Sequence, residues 1–355
     1  MKILLLGGTG AMGIHLTELL NDGNNQVTVT TRSHHKDQGN LSYITGNAHD
    51  DGFVKTLLTV PWDAIVDFMV YTTAAFERRY SMLLNSAAHY IYISSARVYA
   101  DSASPITENT PRLLDVSADK DYLATDEYAL TKARQENLLF AARQQSWSII
   151  RPYITYSSER LQLGVLEKED WLYRTLAGRT LAVSKDINAR KTTLTHGLDV
   201  ACGIQAILGK EAAMGQAFHI TAPESVCWSD VLNIYLSVLH QHCGRNFKVV
   251  HHNLEDFIKW RGGKYQIIYD RLYDRTFDNS KIGQFIDTSS FTAPQSGLRK
   301  CLQHFLENAP LRFKNINWKA EAIKDRMLQE NTPLSAIPGF KPKVKYLVFR
   351  HSSLT

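Results

Sequence analysis

Tyr128 and Lys132 stand four residues apart in Tyr128-Ala-Leu-Thr-Lys132, a spacing that puts both side chains on one face of a helix. An isolated phenol titrates at roughly pH 10, too high for a proton shuttle at neutral pH. A neighbouring ammonium favours the phenolate and lowers that value. Such a pair can therefore act as a general acid/base. By itself the spacing also fits a surface lysine beside a half-buried tyrosine. Two further features favour the catalytic reading: a glycine loop near the start, Gly7-Gly-Thr9-Gly10-Ala11-Met12-Gly13, and a Ser-Ser-Ala-Arg-Val-Tyr run from Ser94 to Tyr99.

The glycines at 7, 10 and 13 follow an apolar run at residues 2–6 and precede a helical pattern from Met12 through Leu16, Leu19 and Leu20. Glycine permits a tight turn, and the helix start offers free amides and a positive dipole end to a pyrophosphate. The alternative is a glycine turn with no ligand, but the flanking strand and helix point to a dinucleotide site. A nicotinamide held there beside Tyr128 would make the pair part of hydride chemistry. After the second strand, Gln26 to Thr31, an acid would suit the ribose hydroxyl of NAD. The chain instead reads Thr30-Thr31-Arg32-Ser33, with Arg32 19 residues after Gly13. A guanidinium pairs with a 2′-phosphate through charge-assisted bonds, so NADP is expected, with NAD as the alternative. An exposed Arg32 touching nothing is the competing possibility.

These sites need elements to position them. Further strands are expected at 43–44, 64–70, 90–94 and 147–151, with helices between, which reads as a doubly wound parallel sheet of the α/β class. Beyond Pro152 helices are expected at Leu161 to Leu176, Asp230 to Leu239 and Trp318 to Gln329, the last within a segment from Leu311 to Asn331. The expected division is a dinucleotide-binding domain over 1–155, with 193–222 returning to it. A smaller mixed α/β substrate lobe and tail would occupy 156–192 and 223–355. The tail beyond Pro333 suggests no function.

With 44% hydrophobic and 21% charged residues the chain has an ordinary globular composition, and 355 residues suffice for a sizeable core. A net charge of +5, partly from Lys341-Pro-Lys-Val-Lys345, mildly favours an anionic substrate without a nucleic-acid footprint. Cys202, Cys227, Cys243 and Cys301 lack metal-ligand spacing and read as reduced thiols. His34-His35 and His251-His252 have no accompanying ligands, so no metal is expected. The apolar run after Met1 is too short for a signal peptide, and no 18-residue apolar run occurs. A cytoplasmic protein that does not engage a membrane is expected.

Taken together, the chain resembles the extended short-chain dehydrogenase/reductase family, in particular its NAD-dependent epimerase/dehydratase group, which acts on nucleotide sugars. The matches are GxxGxxG at 7–13, Ser-Ser-x-x-Val-Tyr at 94–99, YxxxK at 128–132, Arg151-Pro152 closing a strand, and His196-x-x-Asp199-Val-Ala. A later Phe277-Asp-Asn-Ser-Lys281 is similar to the segment before the family's last helices. The resemblance implies that Ser95 hydrogen-bonds the reacting sugar oxygen and that Tyr128 is the acid/base. Lys132 would lower the tyrosine's pKa and hold the nicotinamide ribose. The cofactor would lie along the loop of Gly7, Thr9, Gly10, Ala11, Met12 and Gly13. Arg32, Asn47 (in place of an adenine-contacting acid), Met69, Val70 and Ser94 would flank it, and Pro152, Tyr153 and Ile154 would face its carboxamide end.

Related sugar 4,6-dehydratases carry an Asp-Glu pair after the catalytic hydroxyl, and related decarboxylases a Glu at the second of those positions. Here they are Ala96 and Arg97, so neither elimination nor decarboxylation is expected. Epimerisation through a keto intermediate, or net reduction of a ketosugar, remains. Arg97 either contacts the substrate or forms a structural salt bridge. Arg179, Arg190 and Lys191 are the expected grips on a nucleotide diphosphate. Dimerisation through a four-helix bundle that includes the Tyr128 helix is also what the resemblance implies. The competing functions are a non-catalytic dinucleotide sensor or RNA-associated member of the fold, and a reductase of a non-sugar carbonyl compound.

Overall fold

The computed structural model describes residues 1–308 and 313–352. The chain divides into two compact units. The first comprises Met1–Ser157, Thr193–Ser225 and Arg275–Pro294; the second comprises Ser158–Thr192, Val226–Asp274 and the chain from Gln295 onward.

The first unit is built on β1 (Lys2–Leu6), β2 (Gln26–Thr31), β3 (Leu41–Thr45), β4 (Trp62–Asp67), β5 (Ala87–Ile93), β6 (Trp147–Pro152) and β7 (Gln216–Ile220). They form one seven-stranded sheet in the order β7-β6-β5-β4-β1-β2-β3, parallel at every pairing. Its helices are α1 (Gly13–Leu20), α2 (Asp51–Leu57), α3 (Thr73–Asn85), α4 (Tyr128–Phe140) and α5 (Gly197–Ile207). This is the doubly wound α/β fold expected from the sequence. Strands buried on both faces read as continuous apolar runs, and β1 does so. Ile3 and Leu5 pack on one face with Leu16 and Leu20 of α1 and Ile204 and Ile207 of α5. Leu4 and Leu6 pack on the other with Val54 of α2, Phe76 and Leu83 of α3, and Leu139 of α4. Truncating one of these, such as Leu5→Ala, would cost about 2–5 kcal/mol through lost burial and the cavity left behind.

Arg275–Pro294 belongs to this first unit, whereas the sequence assigned it to the other lobe. Tertiary hydrogen bonds hold it there. Asn279 Nδ2 donates to the Thr221 carbonyl at 2.8 Å, and Arg275 reaches the carbonyls of Tyr99 and Ala100 at 3.1 and 3.0 Å.

The second unit contains helices Lys168–Leu176, Trp228–Cys243, Leu254–Arg261, Trp318–Met327 and Phe340–His351, and a parallel pair of strands, Leu181–Ser184 with Val249–His252. The helix expected from Leu161 starts only at Lys168. Gly164 takes a left-handed φ of +62°, and Leu163 and Leu166 exchange backbone hydrogen bonds across the resulting tight turn. Glu167 and Asp170 then cap the helix start. The helix expected at Asp230 to Leu239 is longer, ending at left-handed Gly244. Leu311, where the last charged segment was expected to begin, lies outside the described residues. The helix inside that segment turns its charge inward. Glu321 and Asp325 receive ion pairs from Arg174 at 3.1 and 2.7 Å and from Arg179 at 2.8 and 3.4 Å, and Lys324 also pairs with Glu321.

Candidate active site

The glycine loop sits between β1 and α1. Gly7 has φ +73°, and a Cβ there would lie 2.7 Å from the Met69 sulfur. A Cβ on Gly13 would lie 2.7 Å from the backbone of Gly8, so the loop can fold back on the helix start only without one. The loop forms one wall of a cleft of about 420 Å³ lined by Gly7, Thr9, Gly10, Thr30, Thr31, Arg32, Gly46, Asn47, Ala48, His49 and Met69. No carboxylate is among these residues, and Arg32 supplies the guanidinium. Thr30 Oγ1 accepts from Gly7 N at 2.9 Å, tying the loop to the end of β2. Thr31 Oγ1 accepts from Ser33 N at 3.2 Å and so fixes the turn that carries Arg32.

Among the expected cofactor contacts, Asn47 and Met69 line this cleft, but Val70 does not. Its side chain is 58% exposed just after the end of β4. Ala11, Met12 and Gly13 lie outside the lining as well, continuing into α1.

The proton-handling residues meet where β5 ends and α4 begins. The α4 sequence is rich in good helix formers, and Glu127 caps it by accepting from Ala129 N at 2.7 Å. Tyr128 is its first residue, half-buried, and Lys132 is one turn on. Lys132 Nζ is buried, donates to the Ile93 carbonyl at 2.7 Å, and lies 4.6 Å from the Tyr92 ring centroid and 5.9 Å from that of Tyr128. Burial pulls this ammonium down from 10.5 to about 8, against the attraction of Asp67 and Glu136. Ser95, two residues beyond β5, is buried, and its Oγ accepts from Arg97 N at 3.2 Å, which orders the turn after the strand.

The hydroxyl of Ser94, one of the expected cofactor contacts, donates to Glu136 at 2.6 Å. Glu136 is fully buried and also accepts from Arg151 at 2.8 and 2.7 Å and from Arg112 at 3.2 Å. This network bolts α4 to β5 and β6 and thereby fixes the position of Tyr128. Arg97 forms the salt bridge that was one of its two alternatives. It pairs with Glu127, and its guanidinium lies 5.4 Å from the Tyr128 ring centroid. Arg179 is a correction. It is 8% exposed and ion-paired to Glu321 and Asp325, so its charge is committed within the second unit and is not presented to a diphosphate. Arg190 and Lys191 are exposed.

Of the residues after β6, Pro152 ends the strand, Tyr153 is buried with its ring 5.2 Å from that of Phe277, and Ile154 has φ +32°. A β-branched residue in that region carries about 1–3 kcal/mol of backbone strain, and such strain gathers at functional sites. No spacing rule flags it.

Asp67 was not singled out from the sequence. It ends β4 in register with Leu6, directly before the glycine loop. It is fully buried and accepts from Tyr71 at 3.1 Å, Tyr90 at 2.8 Å and Met69 N at 3.0 Å. Burial raises its carboxyl above the ordinary range, opposed by those hydrogen bonds and by the charge of Lys132. An acid directly after the apolar run Ala64-Ile65-Val66 was the available signal.

An NAD-binding family model described as "Male sterility protein" matches residues 79–206, which hold Ser95, Tyr128 and Lys132. The dTDP-glucose 4,6-dehydratase of Bacillus anthracis, solved in complex with NAD, superposes with a TM-score of 0.66 at 17% identity, covering 88% of this chain and 100% of that one. The chain therefore shares the fold of that dehydratase. Two relatives share sequence with this chain. The chloroplast stem-loop binding protein of 41 kDa b from Arabidopsis thaliana is 27% identical over 243 residues, 63% of this chain and 60% of that protein. The chain thus matches about three fifths of that relative's length. The 2'-dehydrokanamycin reductase of Streptomyces kanamyceticus is 23% identical over 261 residues, 70% of this chain and 69% of the reductase.

Proposed function

We propose that the protein is an NAD(P)-dependent oxidoreductase or epimerase that moves a hydride at a carbon of a nucleotide-linked sugar, in the supply of glycan precursors. The observation that carries this reading is the pairing of half-buried Tyr128 with buried Lys132 on one face of α4, with Ser95 at the end of the adjoining β5. A nicotinamide dinucleotide, when bound along the glycine loop, supplies the hydride chemistry. Tyr128 exchanges a proton with the hydroxyl or carbonyl oxygen of the sugar, and Ser95 donates a hydrogen bond to the same oxygen. Lys132 keeps a positive charge next to the phenol, which favours the phenolate. Ala96 and Arg97 supply no second acid and base, so the reading is hydride transfer without elimination.

NADP is the proposed cofactor, because the cleft beyond β2 presents Arg32 and no carboxylate. The dehydratase of the same fold was solved with NAD, so the preference rests on Arg32 alone. Exposed Arg190 and Lys191 are the remaining proposed grips on the nucleotide diphosphate.

Substituting Tyr128→Phe should lower kcat by at least about a hundredfold, the usual contribution of a positioned acid/base. Dinucleotide affinity should stay nearly intact. A variant with full turnover of nucleotide sugars would remove the acid/base assignment. A second reading, RNA binding, is favoured by the relative named for binding a stem-loop. A hairpin RNA that binds tightly, together with no turnover across a panel of nucleotide sugars, would replace the enzymatic reading with that one.

A further inference from the structure

We propose that the helix Phe340–His351 docks the protein on the surface of an anionic lipid bilayer, lying in the interface. The helix is fixed to its own unit through one face only. Tyr346 is buried, donates to Asp325 at 2.7 Å and accepts from Thr332 N at 2.9 Å. Phe349 packs against the cluster of Trp318 and Ile337. The opposite face carries Phe340, Val344, Leu347 and Val348, at the spacing i, i+4, i+7, i+8 that forms one stripe. All four are open to solvent, at 80%, 42%, 39% and 45% exposure. Isolated exposed apolar residues are ordinary on a soluble protein, but four in one stripe on one short helix are not.

The charge of the helix identifies what covers the stripe. Phe340–His351 holds Lys341, Lys343, Lys345, Arg350 and His351 and no acidic residue. At about 100° per residue, Lys341 and Lys345 border the stripe on one side, and Lys343 and Arg350 on the other. A second copy of the helix packed on the stripe would bring cations against cations. An RNA would satisfy the cations and leave the apolar side chains unpartnered. A bilayer with anionic headgroups satisfies both: the apolar side chains enter the acyl boundary while the lysines reach outward to phosphates. Twelve residues of helix span only about 18 Å, so this element lies on a bilayer and does not cross it. Among the described residues no helix is long and apolar enough to cross a membrane. The expectation of no membrane partner, drawn from the absence of a long apolar run, did not address this kind of contact.

The test is co-sedimentation of the full chain with vesicles of phosphatidylcholine alone and of phosphatidylcholine with about 30% phosphatidylglycerol. The expected result is binding to the anionic vesicles that falls at least about tenfold on neutral ones and in about 0.5 M salt. Two double variants, Val344→Glu with Leu347→Glu and Lys341→Glu with Lys345→Glu, alter exposed side chains only. Each should lose at least about tenfold in vesicle binding while the thermal midpoint is unchanged. Absence of binding to the anionic vesicles would overturn the proposal, and so would binding that neither double variant weakens. It would also be overturned by a wild-type dimer that Val344→Glu with Leu347→Glu dissociates, which would assign the stripe to a second copy.

Discussion

Replacing Lys132 with methionine should change the stability of the protein in a way that depends on pH, and this tests the electrostatics of the site without a substrate. The ammonium is buried, and its pKa falls from 10.5 in the unfolded chain to about 8 in the folded one. At about 1.36 kcal/mol per pKa unit, holding the charged form in place costs about 3 kcal/mol. Below about pH 8 the lysine is protonated in both states, so the penalty is full and has no slope. Between about pH 8 and 10.5 the folded protein has released the proton while the unfolded chain keeps it. The unfolded state then binds more protons, and wild-type stability rises with pH relative to a chain without the group. Methionine matches the apolar stem of lysine and does not titrate. It leaves the Ile93 carbonyl without its donor, at about 1–3 kcal/mol, but that loss is independent of pH. Urea unfolding of both proteins at pH 7, 8, 9 and 10 isolates the titration as a difference. The wild-type minus variant stability should rise by about 2.5 kcal/mol between pH 7 and 10, nearly all of it above about pH 8. A flat difference would mean that Lys132 is not a buried, depressed ammonium, and the account of its effect on Tyr128 would fail with it.

Two other substitutions probe the neighbouring parts. Arg32→Ala should weaken NADPH binding by about tenfold to a hundredfold through loss of a charge-assisted contact, and leave NADH nearly unchanged, as titration calorimetry would measure. Equal losses for both cofactors would remove the NADP assignment. Glu136→Gln leaves Arg151 facing a neutral amide in a buried site and should destabilise the protein by about 3–5 kcal/mol in urea unfolding. A loss below about 1 kcal/mol would show that the network does not hold α4.

The alternation of apolar runs and glycines makes the sheet readable from the chain alone. Residues buried on both faces leave a local signature, and β1, the glycine loop and β2 fall where that signature puts them. The Tyr128 to Lys132 spacing was legible for the same reason: helical geometry alone relates residues four apart. Other features depend on partners remote in the chain. Lys132, Gln135 and Glu136 look like the solvent side of a helix, yet all are buried, because Asp67, Tyr92 and Arg151 come to meet them from three different strands. Arg179 looks like a free cation until Glu321 and Asp325, about 140 residues on, arrive to neutralise it. Sequence determined which strands, turns and helix faces exist, because those follow from neighbours a few residues apart. Tertiary structure decided which charges are buried and which stay free, because the energy of a charge is set by what surrounds it in space.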